Sequence, residues 1–138
     1  KAAARLDEVA TMSLHRIMYA EDEPDIREIA TLALSALGGF EVETCSSGDQ
    51  VVELAKRFLP DLILLDVMMP GMDGPTALEH LRQEPEFANT PVIFMTAKVM
   101  VEEVDRFKEL GAIDVIAKPF DAATLADHIR EIWNADVE

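Results

Sequence analysis

Residues 62–74 read LILLDVMMPGMDG. Four apolar residues, Leu62-Ile63-Leu64-Leu65, run into a carboxylate, Asp66, and the turn chemistry of Pro70, Gly71, Asp73 and Gly74 follows. A short uninterrupted apolar run bounded by turn residues is the pattern of a strand buried on both faces. A lone buried carboxylate is too costly to keep. Asp66 therefore belongs at the end of that strand, at a sheet margin where other groups or solvent reach it.

The same alternation of short apolar runs and helical spacings extends in both directions. Ile17-Met18-Tyr19-Ala20 reads as a first strand. Pro24 suits the first turn of a helix that carries Ile26, Ile29, Ala30, Ala33 and Leu37 inward and closes at Gly38-Gly39. Phe40 to Thr44 alternates apolar and polar, the mark of a strand wet on one side, and Ser47 is placed to cap a helix with Val51, Leu54, Ala55 and Phe58 inward. Beyond Asp66, Gly74 and Pro75 open a helix to about Arg82, and 83–90 is a polar loop. Val92 to Met95 is a fourth strand. A helix marked by Val101, Val104, Phe107 and Leu110 ends at Gly111, and Ile113 to Ala117 is a fifth strand. Asp121 caps a last helix with Leu125, Ile129 and Ile132 inward, and His128 beside that stripe reads as partly buried packing.

Five strands alternating with five helices specify an α/β fold, a five-stranded parallel sheet with helices on both faces. Only the second strand alternates, so it belongs at an edge. That fits the doubly wound, flavodoxin-like order 2-1-3-4-5, in which ligands bind beyond the carboxyl ends of the strands where the order reverses, between strands 1 and 3. Those ends are Ala20-Glu21-Asp22 and Leu65-Asp66.

At 138 residues the chain suits one domain. Residues 1–14 read as a linker, a tag or an N-terminal extension, 15–134 as the domain and 135–138 as a C-terminal tail; the start at Lys1 reads as a fragment or added residues. The formal charge of −15 argues against nucleic-acid binding by this domain, because a phosphate backbone requires a Lys/Arg surface. No apolar stretch is long enough for a membrane helix, and no signal-peptide pattern opens the chain. The single cysteine, Cys45, excludes an internal disulfide and fits a reducing cytoplasm, which is the expected location.

The other strand ends also carry polar groups, Thr96 after strand 4 and Lys118 after strand 5. The inferred cluster is Glu21, Asp22, Asp66, Thr96 and Lys118. Three close carboxylates leave one protonated unless a cation is present, and hard oxygen donors at an open site suit magnesium. His15, His80 and His128 are scattered, so no zinc set forms. A flavin phosphate would need a loop of free N–H donors after strand 1, and Glu21-Asp22-Glu23-Pro24 instead repels phosphate. A magnesium-dependent phosphatase with an aspartyl-phosphate intermediate needs an acid two residues after its nucleophile, where this chain has Met68.

Across roughly 16–133 the chain resembles the receiver domain of two-component response regulators, in the manner of the chemotaxis regulators. The resemblance is carried by Glu21-Asp22-Glu23-Pro24, by 62–74, by Met95-Thr96-Ala97 and by Lys118-Pro119-Phe120, each at the end of the expected strand. It implies that Asp66 accepts a phosphoryl group from a phosphohistidine on a sensor histidine kinase or a histidine phosphotransfer protein. It implies that Asp22, Asp66 and the backbone carbonyl of Met68 bind Mg2+, with Glu21 acting largely through water. Lys118 and the Thr96 hydroxyl would each meet a phosphoryl oxygen, and the Lys118-Pro119 bond would be cis. The chain would be a signalling domain rather than an enzyme. Its partner would be a downstream effector protein or a tethered output domain, reached through the face running from strand 4 and helix 4 to helix 5, or a second copy of the chain in a phosphorylation-dependent homodimer. A phosphatase, or a receiver-like scaffold that no longer phosphorylates, are the alternatives. One departure stands out: receivers carry an aromatic residue three positions before the lysine, and here that residue is Val115. Valine has no ring to rotate and is stiff at χ1, so the expected signal runs through Thr96 and the 96–100 loop.

Overall fold

The computed structural model describes residues 13–137; the expectation for residues 1–14 therefore lies almost entirely outside the described residues. The elements alternate as β1 (Arg16–Ala20), α1 (Pro24–Thr31, continued by a π-helical turn Leu32–Leu37), β2 (Glu41–Cys45), α2 (Val51–Phe58), β3 (Leu62–Asp66), α3 (Gly74–Gln83), β4 (Val92–Thr96), α4 (Val101–Glu109), β5 (Asp114–Ala117) and α5 (Leu125–Val137). The sheet is parallel and ordered β2-β1-β3-β4-β5, as the strand patterns require.

Strand parity divides the core into two layers. Met18, Ile63, Leu65, Phe94 and Val115 face α2, α3 and α4, where they meet Leu54, Ala77, Leu78, Leu81 and Phe107. Ile17, Tyr19, Leu62, Leu64, Ile93, Met95 and Ile116 face α1 and α5, where they meet Ala30, Leu34, Ile129 and Trp133. Every residue of β3 and β4 is buried, whereas β2 alternates along the edge. Arg130 of α5 donates to the Gly38 carbonyl and lies over the Phe40 ring at 4.3 Å, tying α5 to the end of α1.

Several helical expectations are corrected. Leu37 is 69% exposed and Ile29 48%; the wider π turn rotates the register, so Leu34 rather than Leu37 faces the sheet. Val101 and Leu110 are exposed, and Phe107 is the one fully buried residue of α4. His128 is exposed rather than packed. Ser47 makes no capping side-chain bond; a short 3-10 turn at Gly48–Gln50 leads into α2 instead. Asp121 does accept from the Ala123 N–H at 2.9 Å, opening the turns that precede α5.

Candidate functional site

The site forms where β1, β3, β4 and β5 end. Asp66 is level with Met95 across β3 and β4, Ala20 with Leu65 across β1 and β3, and Thr96 with Ala117 across β4 and β5. Three backbone bonds lock these ends together: Glu21 N to Cys45 O at 3.0 Å, Val67 N to Met95 O at 2.9 Å and Lys118 N to Thr96 O at 2.8 Å. Parity then sorts the side chains. Glu21 continues the parity of Ile17 and Tyr19, Asp66 that of Leu62 and Leu64, and Lys118 that of Ile116, all on the α1/α5 layer. Thr96 continues the parity of Phe94, on the α4 layer with Val115.

The first three do meet. Lys118 Nζ lies 3.0 Å from Glu21 Oε1 and 3.1 Å from Asp66 Oδ1. Carboxylate oxygens of Glu21, Asp22 and Asp66 all lie within 4.8 Å of one another. Glu21 is fully buried and Asp66 is 3% exposed. One ammonium against three carboxylates leaves the cluster short of positive charge. Burial pushes Asp66 up to about 7; the Lys118 hydrogen bond works the other way, and the Glu21 charge adds to the rise. Burial also opposes the Glu21 carboxylate, but donation from Lys118, the Glu23 N–H and Tyr19 outweighs it and lowers its pKa. Burial disfavours the Lys118 ammonium as well, and its bonds to Glu21 and Asp66 more than compensate, raising its pKa. A second cation fits what this donor set lacks: hard carboxylate oxygens, converging, with net negative charge.

The loop after β3 wraps closely over Asp66. A Cβ at Gly74 would stand 2.5 Å from the Asp66 carbonyl oxygen, so only glycine allows α3 to start there. Gly71 supplies a φ of +78° in the same loop. Met68, two residues after Asp66, is 78% exposed. The Thr96 hydroxyl accepts the Lys98 N–H at 3.2 Å, which ties it to its own loop. The Lys118-Pro119 bond is cis.

Sequence reasoning passed over Tyr19, whose buried hydroxyl donates to Glu21 Oε1 at 2.9 Å. The available signal was its position two residues before Glu21 on one strand, which puts both on one face. It passed over Arg27 as well, which donates to the Glu21 carbonyl oxygen at 2.7 Å. Cys45 offers no nucleophile, since burial pushes its thiol up to about 11. Two clefts of about 350 and 420 Å3 flank α2 and the β3–α3 loop, and neither is lined by Asp66 or Lys118.

Comparison with known proteins agrees with this geometry. The family model described as the response regulator receiver domain matches residues 17–130. The transcriptional regulatory protein BaeR of Escherichia coli is 37% identical over 119 residues, covering 85% of this chain and 47% of that protein. The chain thus spans about half the length of such curated relatives. The chemotaxis response regulator CheY4 of Vibrio cholerae superposes with a TM-score of 0.80 at 27% identity, covering 87% of this chain and 99% of that one. The signal receiver domain of a signal transduction histidine kinase from Syntrophus aciditrophicus gives 0.74 at 32% identity, over 88% of this chain and 91% of its own. No helix among the described residues is long and apolar enough to cross a membrane. With the sheet order, the strand-end carboxylates and the lysine bridging them all in agreement, the chain belongs to the receiver domains of two-component response regulators.

Proposed function

We propose that Asp66 is the phosphoacceptor of this receiver domain and takes its phosphoryl group from a phosphohistidine on a sensor histidine kinase or a histidine phosphotransfer protein. The observation that carries this is Lys118 Nζ bridging Glu21 and Asp66, with three carboxylates converging around Asp66. An Asp66 oxygen attacks phosphorus in line; the new P–O bond forms as the P–N bond to imidazole breaks. Such a transfer depends on positioning and charge neutralisation more than on covalent help. Glu21, Asp22 and Asp66 would hold Mg2+, together with the backbone carbonyl of Met68. When bound, Mg2+ neutralises carboxylate charge and favours the ionised form of Asp66. Lys118, already 3.1 Å from Asp66, supplies its ammonium to a phosphoryl oxygen.

Readout runs through Thr96. Its hydroxyl accepts the Lys98 N–H, so drawing that hydroxyl towards a phosphoryl group displaces the loop that leads into α4. Val115, level with Phe94 across β4 and β5, is buried in the same core layer as Phe107 and has no ring to follow. The exposed Val99, Met100 and Val101 lie on that moving stretch and form the face offered to an effector protein or a tethered output domain. The acidic surface disfavours nucleic acid as a direct ligand of this domain.

Labelling with radioactive acetyl phosphate and magnesium tests the proposal: wild type takes label and Asp66→Asn does not, whereas label on both or on neither overturns it. Small phosphoesters are not turned over; turnover would move the reading to the phosphatase. Crystal structures with and without beryllofluoride test the readout, which fails if 96–100 stays in place.

A further inference from the structure

Glu21 Oε1 accepts two hydrogen bonds, from Tyr19 Oη at 2.9 Å and from Lys118 Nζ at 3.0 Å, while Oε2 accepts the Glu23 N–H at 3.2 Å. The carboxylate has no contact with solvent, so these three donors replace its hydration. They differ in mobility. The Glu23 N–H belongs to the backbone entering α1, and the Tyr19 ring is fully enclosed between the sheet and the α1/α5 layer. Lys118 has a long side chain and reaches both Glu21 and Asp66.

When a phosphoryl group arrives on Asp66, Lys118 is the donor that must shift its bonds towards it. A buried carboxylate left short of donors resists that shift, since an unsatisfied charged group costs more than one hydrogen bond returns. With only Lys118 on Oε1, Glu21 would hold the ammonium; with Tyr19 on the same oxygen, it can let the ammonium go. We infer that Tyr19 is a positioning residue, a fixed second donor to Glu21 Oε1 that frees Lys118 to serve the transferred phosphoryl group. The inference rests on the reading of Asp66 as phosphoacceptor. It gives the buried tyrosine a part beyond packing.

Tyr19→Phe keeps the ring and deletes the donor. With acetyl phosphate and saturating magnesium, labelling of Asp66 slows on the order of tenfold, as expected for one hydrogen bond to a buried charge. In a Glu21→Gln background the same substitution adds no further slowing, because the carboxylate it served is gone. A purely packing role would give the same loss in both backgrounds and would overturn the inference, as would Tyr19→Phe labelling at the wild-type rate.

Tyr19 is the only tyrosine in the chain, so an independent measurement needs no variant of it. The Cζ resonance of 13C-labelled tyrosine shifts when magnesium and beryllofluoride are added to wild type, because Oε1 then loses the Lys118 donor and leans on Tyr19 alone. The shift is much reduced in Glu21→Gln. An unmoved resonance in wild type refutes the role even if Tyr19→Phe does not fold. Absence of Asp66 labelling in wild type would instead refute the phosphoacceptor reading itself, so the two failures are distinct.

Discussion

At the scale of single residues, Asp66 is held against its own preference. Burial and the Glu21 charge raise it to about 7 in the metal-free protein, against about 3.9 for an unperturbed aspartate. The sign follows from linkage. A carboxyl group whose folded pKa exceeds its unfolded value destabilises the fold progressively as pH rises from the unfolded value to the folded one, and fully above that. Asp66→Asn removes this penalty. In chelator, the stability of Asp66→Asn relative to wild type therefore rises between about pH 4 and 7 and levels off above, by roughly 1–3 kcal/mol. Urea titrations across that range measure it; a constant difference would show that Asp66 carries no such strain. Much of this site could be read from the chain, because each member ends an apolar strand and parallel sheets gather such ends. Tyr19 could not be read so easily. A tyrosine inside Ile17–Ala20 looks like one more apolar core residue, and only the register of Glu21 shows that its hydroxyl has a carboxylate to meet.

At the scale of elements, strands were more legible than helices. Apart from the edge strand β2, a strand here is buried on both faces, so an apolar run suffices to find it. A helix has one buried stripe, and an apolar residue beside the stripe looks the same in sequence as one within it. Ile29 lies beside the stripe rather than within it, and Leu37 is turned outward by a π turn that nothing in Leu32–Leu37 announces. α4 is the instructive case. Val101, Val104, Phe107 and Leu110 keep a helical interval, yet only Phe107 is fully buried. Phe107 packs against Phe94 of β4, ring centroids 4.9 Å apart and tilted by 56°. A helix held by one deep anchor opens more readily than its neighbours. Amides of α4 are therefore expected to exchange with deuterium faster than those of α2 or α3, and magnesium with beryllofluoride is expected to slow exchange across 97–109. Protection of α4 equal to that of α3, unchanged by the phosphoryl mimic, would exclude it as the responding element.

At the scale of the whole molecule, the balance is 27 acidic residues against 12 basic ones. Ion pairs among the described residues do little to relieve it. Arg16–Glu41, Lys56–Glu84 and Arg130–Asp127 lie at the surface, where such pairs contribute little. Lys118 is the cation in the buried pairs, and it faces more carboxylates than it can neutralise. The excess negative charge is thus both diffuse, over the surface, and concentrated, at the ends of β1 and β3. Salt acts on the first and a site-bound divalent cation on the second, so the two separate by experiment. A ligand that binds only the native state at a hundred times its Kd adds about 2.7 kcal/mol, which for a domain of this size raises Tm by roughly 5–10 °C. Magnesium is expected to give wild type a rise in that range and sodium chloride of equal ionic strength a smaller one. Asp66→Asn, with one carboxylate fewer in the cluster, retains the sodium response and loses most of the magnesium response. Equal magnesium shifts in wild type and Asp66→Asn would mean that the ion screens the surface rather than occupying the strand ends, and the metal-ligand assignment of Glu21, Asp22 and Asp66 would fall with it.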